Sequence, residues 1–154
     1  MDFQIKHTDI NDKDFLMLCK KLNDSENSLV PERANVFDSL KGLDKILSVV
    51  LAFDGKTAAG CAALGFVNEE TSELKRVFID EAYRGKGLGK LLSKEIENLA
   101  KFKGFKSIML DTWKPNKSAI SVYEKLGYSR IEPQEPDAPL AEKIVFMKKD
   151  FCKK

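Results

Sequence analysis

The sequence predicts an α/β domain with a mixed central sheet. β-branched and apolar residues run through Lys45–Phe53, Lys56–Phe66 and Glu73–Asp80, so three strands follow one another as an antiparallel meander. The hydrophobic period then changes. Leu88, Leu91, Leu92, Ile96, Leu99 and Ala100 fall on one helix face. From there strand and helix alternate, which requires crossover connections. The centre of the sheet is expected where the meander hands over to the crossovers.

Each element has its own signal. Phe3 and Ile5 alternate with polar residues, as in a short first strand. Asn11 or Asp12 can cap a helix running through Phe15–Leu22. A weaker helix is expected near Arg33–Leu40, after Pro31. Asp54-Gly55 is a strong hairpin signal between the first two meander strands. The second of these is rich in small residues, among them Ala58, Ala59, Gly60, Ala62, Ala63 and Gly65, so a neighbour can pack closely on it. Asn68-Glu69-Glu70 makes the next turn, and Gly104 ends the helix that begins near Leu88. Ser107–Asp111 reads as a strand. Ala119, Ile120, Val122, Tyr123 and Leu126 mark a helix stopped by Gly127. Tyr128–Ile131 and Ile144–Lys148 are the last two strands, separated by a loop with Pro133, Pro136 and Pro139.

The chain of 154 residues suits one domain, 1–154, with a real core. It is 43% hydrophobic and 32% charged, which argues against disorder. Lys plus Arg number 26 against 24 Asp plus Glu, a net charge of +2 that gives no sign of nucleic-acid binding. No apolar run approaches the ~20 residues that span a membrane, and the N-terminus lacks signal-peptide character. Cys19, Cys61 and Cys152 have no metal-ligand spacing, so a reduced cytoplasmic protein without a metal is expected. A single histidine, His7, argues against a histidine triad.

The sharpest local feature is Tyr83-Arg84-Gly85-Lys86-Gly87-Leu88-Gly89-Lys90, between a strand and a helix. Glycines at alternate positions bare the backbone and permit unusual dihedral angles. A turn opening a helix points several N–H groups at one spot, and the macrodipole adds positive charge. Arg84 and Lys86 add full charges. These features describe an anion site sized for a pyrophosphate. No GKS or GKT follows, so a Walker A loop is disfavoured, and Lys90 stands where a dinucleotide fingerprint needs glycine. A plain glycine turn without a ligand remains the alternative.

Arg84-x-x-Gly87-x-Gly89, preceded by the strand Glu73–Ile79, resembles the acetyl-coenzyme A signature of the GNAT family of N-acetyltransferases. Asn116-Lys117-Ser118-Ala119-Ile120-Ser121-Val122-Tyr123-Glu124-Lys125-Leu126-Gly127-Tyr128 is similar to that family's second motif, N-x-x-A-x-x-x-Y-x-x-x-G-[FY]. Order and separation match as well. The resemblance implies that the central strand splays from its parallel neighbour at a bulge. It implies that the pantetheine arm hydrogen-bonds the main chain of Val77, Phe78 and Ile79, and that the Val77 N–H stabilises the oxyanion. The cofactor-binding set is then Val77, Phe78, Ile79, Arg84, Gly85, Lys86, Gly87, Leu88, Gly89, Lys90 and Asn116. Asn116 also reads as a helix cap.

The resemblance makes Tyr123 the general acid for the departing thiolate. Periodicity alone makes it a buried aromatic on a helix whose apolar face is 119, 122, 123 and 126. Many relatives place an acidic residue at Glu73, acting on the acceptor amine through water. By strict alternation Glu73 shares a face with Lys75 and Val77, and a surface glutamate opening a strand is the alternative. Asp111, Thr112 and Trp113 lie near the sheet's carboxyl edge, where ligands of α/β sheets gather. The loop Glu132–Glu142 holds Glu132, Glu135, Asp137 and Glu142 and no base, which suits a cationic acceptor or simply a solvated loop. The implied activity is acetyl transfer from acetyl-coenzyme A to a primary amine of a small molecule or peptide, by direct attack. A homodimer is common among relatives. Two alternatives remain open: a non-catalytic acyl-coenzyme A sensor and an unrelated phosphate-binding module.

Overall fold

The computed structural model describes residues 2–35 and 42–151. Seven strands form one sheet: β1 (Gln4–Thr8), β2 (Ile46–Asp54), β3 (Thr57–Phe66), β4 (Thr71–Ile79), β5 (Ser107–Trp113), β6 (Ser129–Ile131) and β7 (Ile144–Asp150). Three α-helices accompany them: α1 (Lys13–Leu29), α2 (Leu88–Phe102) and α3 (Lys117–Lys125). The order across the sheet is β1-β2-β3-β4-β5-β7-β6. Among the described residues only β4 and β5 pair in parallel, so the meander and the crossovers meet at the sheet's centre, as the period change predicts.

Asp12 is the cap of α1, its Oδ1 accepting from the N–H groups of Asp14 at 2.9 Å and Phe15 at 3.1 Å. The helix continues past Leu22 to Leu29. Phe15, Leu18 and Cys19 sit at helical spacing and are buried against Val49, Leu51, Ala58, Cys61, Ala63 and Phe78 on one sheet face. Of the weaker helix expected near Arg33–Leu40, only residues 33–35 are described, and they belong to a 3-10 turn over Pro31–Asn35. Residues 36–41 lie outside the described residues, as does Cys152.

On the other face, Leu88, Leu92, Ile96 and Ala100 of α2 pack with Ile120, Tyr123 and Leu126 of α3 onto Val50, Ala62, Leu64, Leu74, Leu110 and Met147. Burying each such Leu or Ile contributes about 1.5–3 kcal/mol. Of the expected apolar face 119, 122, 123 and 126, Tyr123 and Leu126 are buried, while Val122 is 39% exposed and Ile120 is buried in its stead. Small residues on β3 make the close packing possible. A Cβ at Gly60 would lie 2.9 Å from the Ile79 Cδ1 and 3.2 Å from the Leu92 Cδ1. Within this core Glu97 accepts from the Tyr128 hydroxyl and from the Lys149 ammonium, both at 2.9 Å.

β4 governs the rest of the architecture. Thr71, Ser72 and Glu73 pair with Ser107, Ile108 and Met109, and there the parallel pairing stops. A 3.1 Å Thr71–Ser107 hydroxyl contact and a bond from the Ser72 hydroxyl to the Ser107 carbonyl pin the joined end. Beyond it β5 follows β7 over its whole length, while β4 follows β3, so the two central strands part. β4 is also bulged. Its register with β3 shifts between the Ala63–Lys75 and Cys61–Phe78 pairs, so that Arg76 and Val77 together stand opposite Ala62. Arg76 takes φ +55°, a left-handed conformation that costs a non-glycine residue about 1–3 kcal/mol.

The bulge corrects the expected side-chain alternation. Val77 packs with Leu74 and Ile79 against the α2 side, whereas Phe78 is buried on the α1 side. Glu73 and Lys75 alternate with Leu74, so Val77 does not share their face. One inserted residue reverses the parity of everything after it.

Candidate active site

Three parts of the chain converge where β4 and β5 separate. The first is the glycine loop. After a 3-10 turn at Glu81–Tyr83, Gly85 and Gly87 adopt φ +80° and +76°. An added Cβ at either would meet no atom within 4 Å, so open space adjoins the loop. Gly87 is the N-cap of α2, and the first helical bond runs from the Leu91 N–H to the Gly87 carbonyl at 3.0 Å. The N–H groups of Leu88, Gly89 and Lys90 therefore have no acceptor within the helix. Lys86 and Lys90 are exposed beside them. Arg84 is also exposed, but its Nε donates to the Ile79 carbonyl at 3.1 Å, and its guanidinium carbon lies 5.8 Å from the Phe78 ring centroid. Arg84 thus ties the loop to the end of β4 as well as adding charge. A cavity of about 430 Å³ between α1 and this end of β4 is lined by Ser25, Ser28, Phe78, Asp80 and Arg84.

The second part is α3. Asn116 caps it, its Oδ1 accepting from the Ala119 N–H at 3.3 Å. Tyr123 is 9% exposed and stacks edge-on to Tyr128, with centroids 5.8 Å apart. No described group hydrogen-bonds its hydroxyl. Burial, then the charges of Glu26 and Asp111, push its pKa up, so the phenol keeps its proton.

The third part is a polar cleft on the α1 side of the sheet. Burial holds the Glu73 carboxyl above the usual range. Lys75, with its Nζ 3.7 Å away, pulls it down, and Asp111 and Glu135 push it up. Asp111 is exposed, and the direction of its carboxyl shift is upward, from desolvation, against the pull of Lys75 and with a push from Glu135. Glu26 on α1 is raised by burial, opposed by Arg33 and Arg76. Arg33 lies 6.0 Å over the Trp113 ring, and Trp113 bonds to Glu26. A Glu32–Lys143 ion pair of 2.8 Å bridges the turn after α1 to the end of the β6–β7 loop. A groove of about 750 Å³ runs from Met109, the register partner of Glu73, toward Val67 and Asn68, with Arg130, Gln134 and Lys148 along it. Among the described residues, no group of three or more His, Cys, Asp or Glu could hold a metal ion.

Of the expected site residues, Val77, Phe78 and Ile79 lie on β4 beyond its last pairing with β5, residues 84–90 lead into α2, Asn116 caps α3, and Tyr123 and Glu73 lie on the α2 side and the α1 side of the sheet. Sequence reasoning missed Glu26 and Arg33, and it expected a bulge in the central strand without its consequence for the face of Val77. The bulge did leave a signal: apolar residues at 74, 77 and 79 break a strict period of two. Glu26 was hidden because α1 runs about two turns past Leu22, the end of its predicted apolar run.

Comparison with known proteins agrees with this geometry. The family model of the acetyltransferase (GNAT) family matches residues 16–128. N-acetylaspartate synthetase of Xenopus tropicalis is 33% identical over 82 residues, 53% of this chain and 30% of that protein. The chain spans less than half the length of this and other curated relatives, 39% and 48% in two further cases. A crystal structure of a candidate acyl-CoA N-acyltransferase from Klebsiella pneumoniae superposes with a TM-score of 0.77 at 27% identity, covering 97% of this chain and 98% of that one. PaiA N-acetyltransferase of Thermoplasma acidophilum, solved with coenzyme A, shares the fold with a TM-score of 0.72 at 22% identity, covering 98% of this chain and all of that one. Glycine loop, parted strands and matched family model agree, and the chain belongs to the GNAT family of acetyltransferases.

Proposed function

We propose that this protein transfers an acetyl group from acetyl-coenzyme A to a primary amine by direct attack in a ternary complex, and that residues 1–154 act as one domain. The parting of β4 and β5 beside the glycine loop carries this reading. An extended ligand can lie along the freed edge of β4 there, with its phosphates at the start of α2. The coenzyme A held by the PaiA enzyme supports the same cosubstrate here.

In this reading the N–H groups of Leu88, Gly89 and Lys90, with Lys86, hold the pyrophosphate. The main chain of Val77, Phe78 and Ile79 holds the pantetheine amides, and Asn116 fixes the start of α3 against them. The amine enters from the α1 side and the rest of the acceptor lies in the groove past Met109. Glu73, raised by burial, takes the ammonium proton directly or through water. The freed amine attacks the thioester carbon, the carbonyl oxygen gains charge opposite the Val77 N–H, and the carbon–sulfur bond breaks as the nitrogen's second proton passes to the departing sulfur, directly or through water.

Tyr123 then faces a thiolate whose conjugate acid has a pKa of about 8.5. A phenol pushed above its ordinary value is less acidic than that thiol, so Tyr123 acts by donating a hydrogen bond to the sulfur. Cys61 is not the nucleophile of a covalent route. It is fully buried, and burial drives its thiol pKa up.

A panel of amines, with thiol release as readout, tests the proposal. Turnover with at least one primary amine and a 1:1 loss of acetyl-coenzyme A is expected. Tight coenzyme A binding without turnover on any amine overturns it in favour of a sensor, and calorimetric preference for ATP over coenzyme A in favour of a phosphate module.

A further inference from the structure

The glycine loop is held at its ends and free between them. Downstream, Leu88 is buried as α2 begins. Between the ends, no described group accepts a hydrogen bond from the N–H of Gly85, Lys86 or Gly87. Upstream, the 3-10 turn Glu81–Tyr83 is tied on three sides. Asp80, which precedes it, accepts from the Ala82 N–H at 3.3 Å and takes the Lys21 ammonium of α1 at 2.7 Å. Arg84 reaches back to the Ile79 carbonyl. The third tie comes from a residue outside both sequence motifs. The Tyr83 hydroxyl donates to Asp54 Oδ2 at 2.9 Å, and Asp54 ends β2 at the β2–β3 hairpin. The Tyr83 ring stands edge-on to Phe3, with centroids 6.0 Å apart, and the Thr57 side chain also reaches the phenol.

We infer that Asp54 is a positioning residue for coenzyme A: through Tyr83 it holds the glycine loop in its anion-binding shape before the cofactor arrives. The inference rests on the proposed seat of the pyrophosphate at this loop and adds a residue distant from it in sequence. The hairpin itself does not need this carboxylate. Asp54 pairs with Thr57, so the two turn residues are Gly55 and Lys56, and Gly55 alone supplies a positive φ. Among the described residues Tyr83 is the only hydrogen-bond partner of the Asp54 side chain. Glycine loses more backbone freedom on ordering than any other residue. A loop ordered beforehand leaves less of that cost to the binding step. In a protein that holds the shape only part of the time, the dissociation constant rises by the inverse of that fraction.

Three variants and one combination test this. Tyr83→Phe keeps the ring beside Phe3 and removes the hydroxyl. Asp54→Ala removes the acceptor, and Asp54→Asn keeps one. A net hydrogen bond changes an equilibrium constant by up to about tenfold. The coenzyme A dissociation constant should therefore rise about three- to tenfold in Tyr83→Phe and in Asp54→Ala, and no further in the two combined. Asp54→Asn should stay within about twofold of the wild type. At saturating acetyl-coenzyme A, kcat and the acceptor KM should hold, whereas a domain loosened throughout would lose kcat as well. An unchanged dissociation constant in Tyr83→Phe, or effects that multiply when Tyr83→Phe and Asp54→Ala are combined, would overturn the inference.

A readout on the cofactor-free protein separates this from failure of the proposed function. Backbone NMR order parameters at Gly85, Lys86 and Gly87 should be lower in Tyr83→Phe and Asp54→Ala than in the wild type and Asp54→Asn, with those of α2 unchanged. If the wild type binds no coenzyme A, the proposed function is wrong, and this comparison still decides whether Asp54 holds the loop. Equal order parameters in all four proteins sink the inference.

Discussion

Lys75 Nζ lies 3.7 Å from Glu73 Oε1, two residues along the same face of β4. The ammonium lowers a carboxyl that burial raises, so the pair sets where Glu73 ionises. If Glu73 takes the acceptor's proton, the rate rises with pH through one ionisation above the ordinary carboxylate value. Glu73→Gln should lower the rate near neutrality about 10²-fold or more and leave a limb governed by the free amine. Coenzyme A affinity should hold. A pH–rate series checks this. A raised acceptor KM at all pH values, with the profile unchanged, would instead make Glu73 an electrostatic attractor.

Lys75→Met should displace the same limb. With the cation gone, the remaining influences on Glu73 are desolvation, Asp111 and Glu135, all of which raise its pKa. The base then forms only at higher pH, so the acid limb moves up the pH scale and the rate at pH 6 falls more than the rate at pH 8. A limb that moves down, or does not move, contradicts the assignment of Glu73 to the profile.

Tyr123→Phe keeps the ring in its place beside Tyr128 and deletes a hydroxyl with no partner among the described residues. Stability should change little, because no buried bond is lost. If the hydroxyl stabilises the departing thiolate, kcat should drop about 10²-fold while the coenzyme A dissociation constant stays level. Normal turnover would leave Tyr123 a core residue only.

Gly87→Val should abolish measurable coenzyme A binding by calorimetry. At φ +76° a β-branched residue is strained by about 1–2 kcal/mol, and its side chain enters the space where phosphates would approach α2. Far-UV circular dichroism should show the fold retained. Unchanged affinity in the folded variant would refute the loop as the phosphate site.

The elements were legible wherever a local rule decides them. Gly55, Gly104 and Gly127 all adopt positive φ at the turns that the sequence places there, and Asp12 and Asn116 cap the helices they precede. What escaped depends on tertiary context. The face of Val77 was misassigned because alternation assumes an unbroken ladder, and the bulge opposite Cys61 breaks it. Glu26 and Arg33 enter the cleft only because α1 folds back over the sheet beside Trp113, which no spacing along the chain announces.

The separated strands bear on how this protein tolerates sequence change. A ligand held by the peptide groups of residues 77–79 is read by atoms that every amino acid except proline carries. Those positions can therefore exchange one apolar side chain for another and still present the same row of donors and acceptors. Truncating them to alanine would register as lost packing, and the contact itself would escape notice. Proline is the informative replacement, since it alone erases the N–H. If the proposed ligand lies there, binding at residues 77–79 asks for one path of the main chain and tolerates many spellings of it.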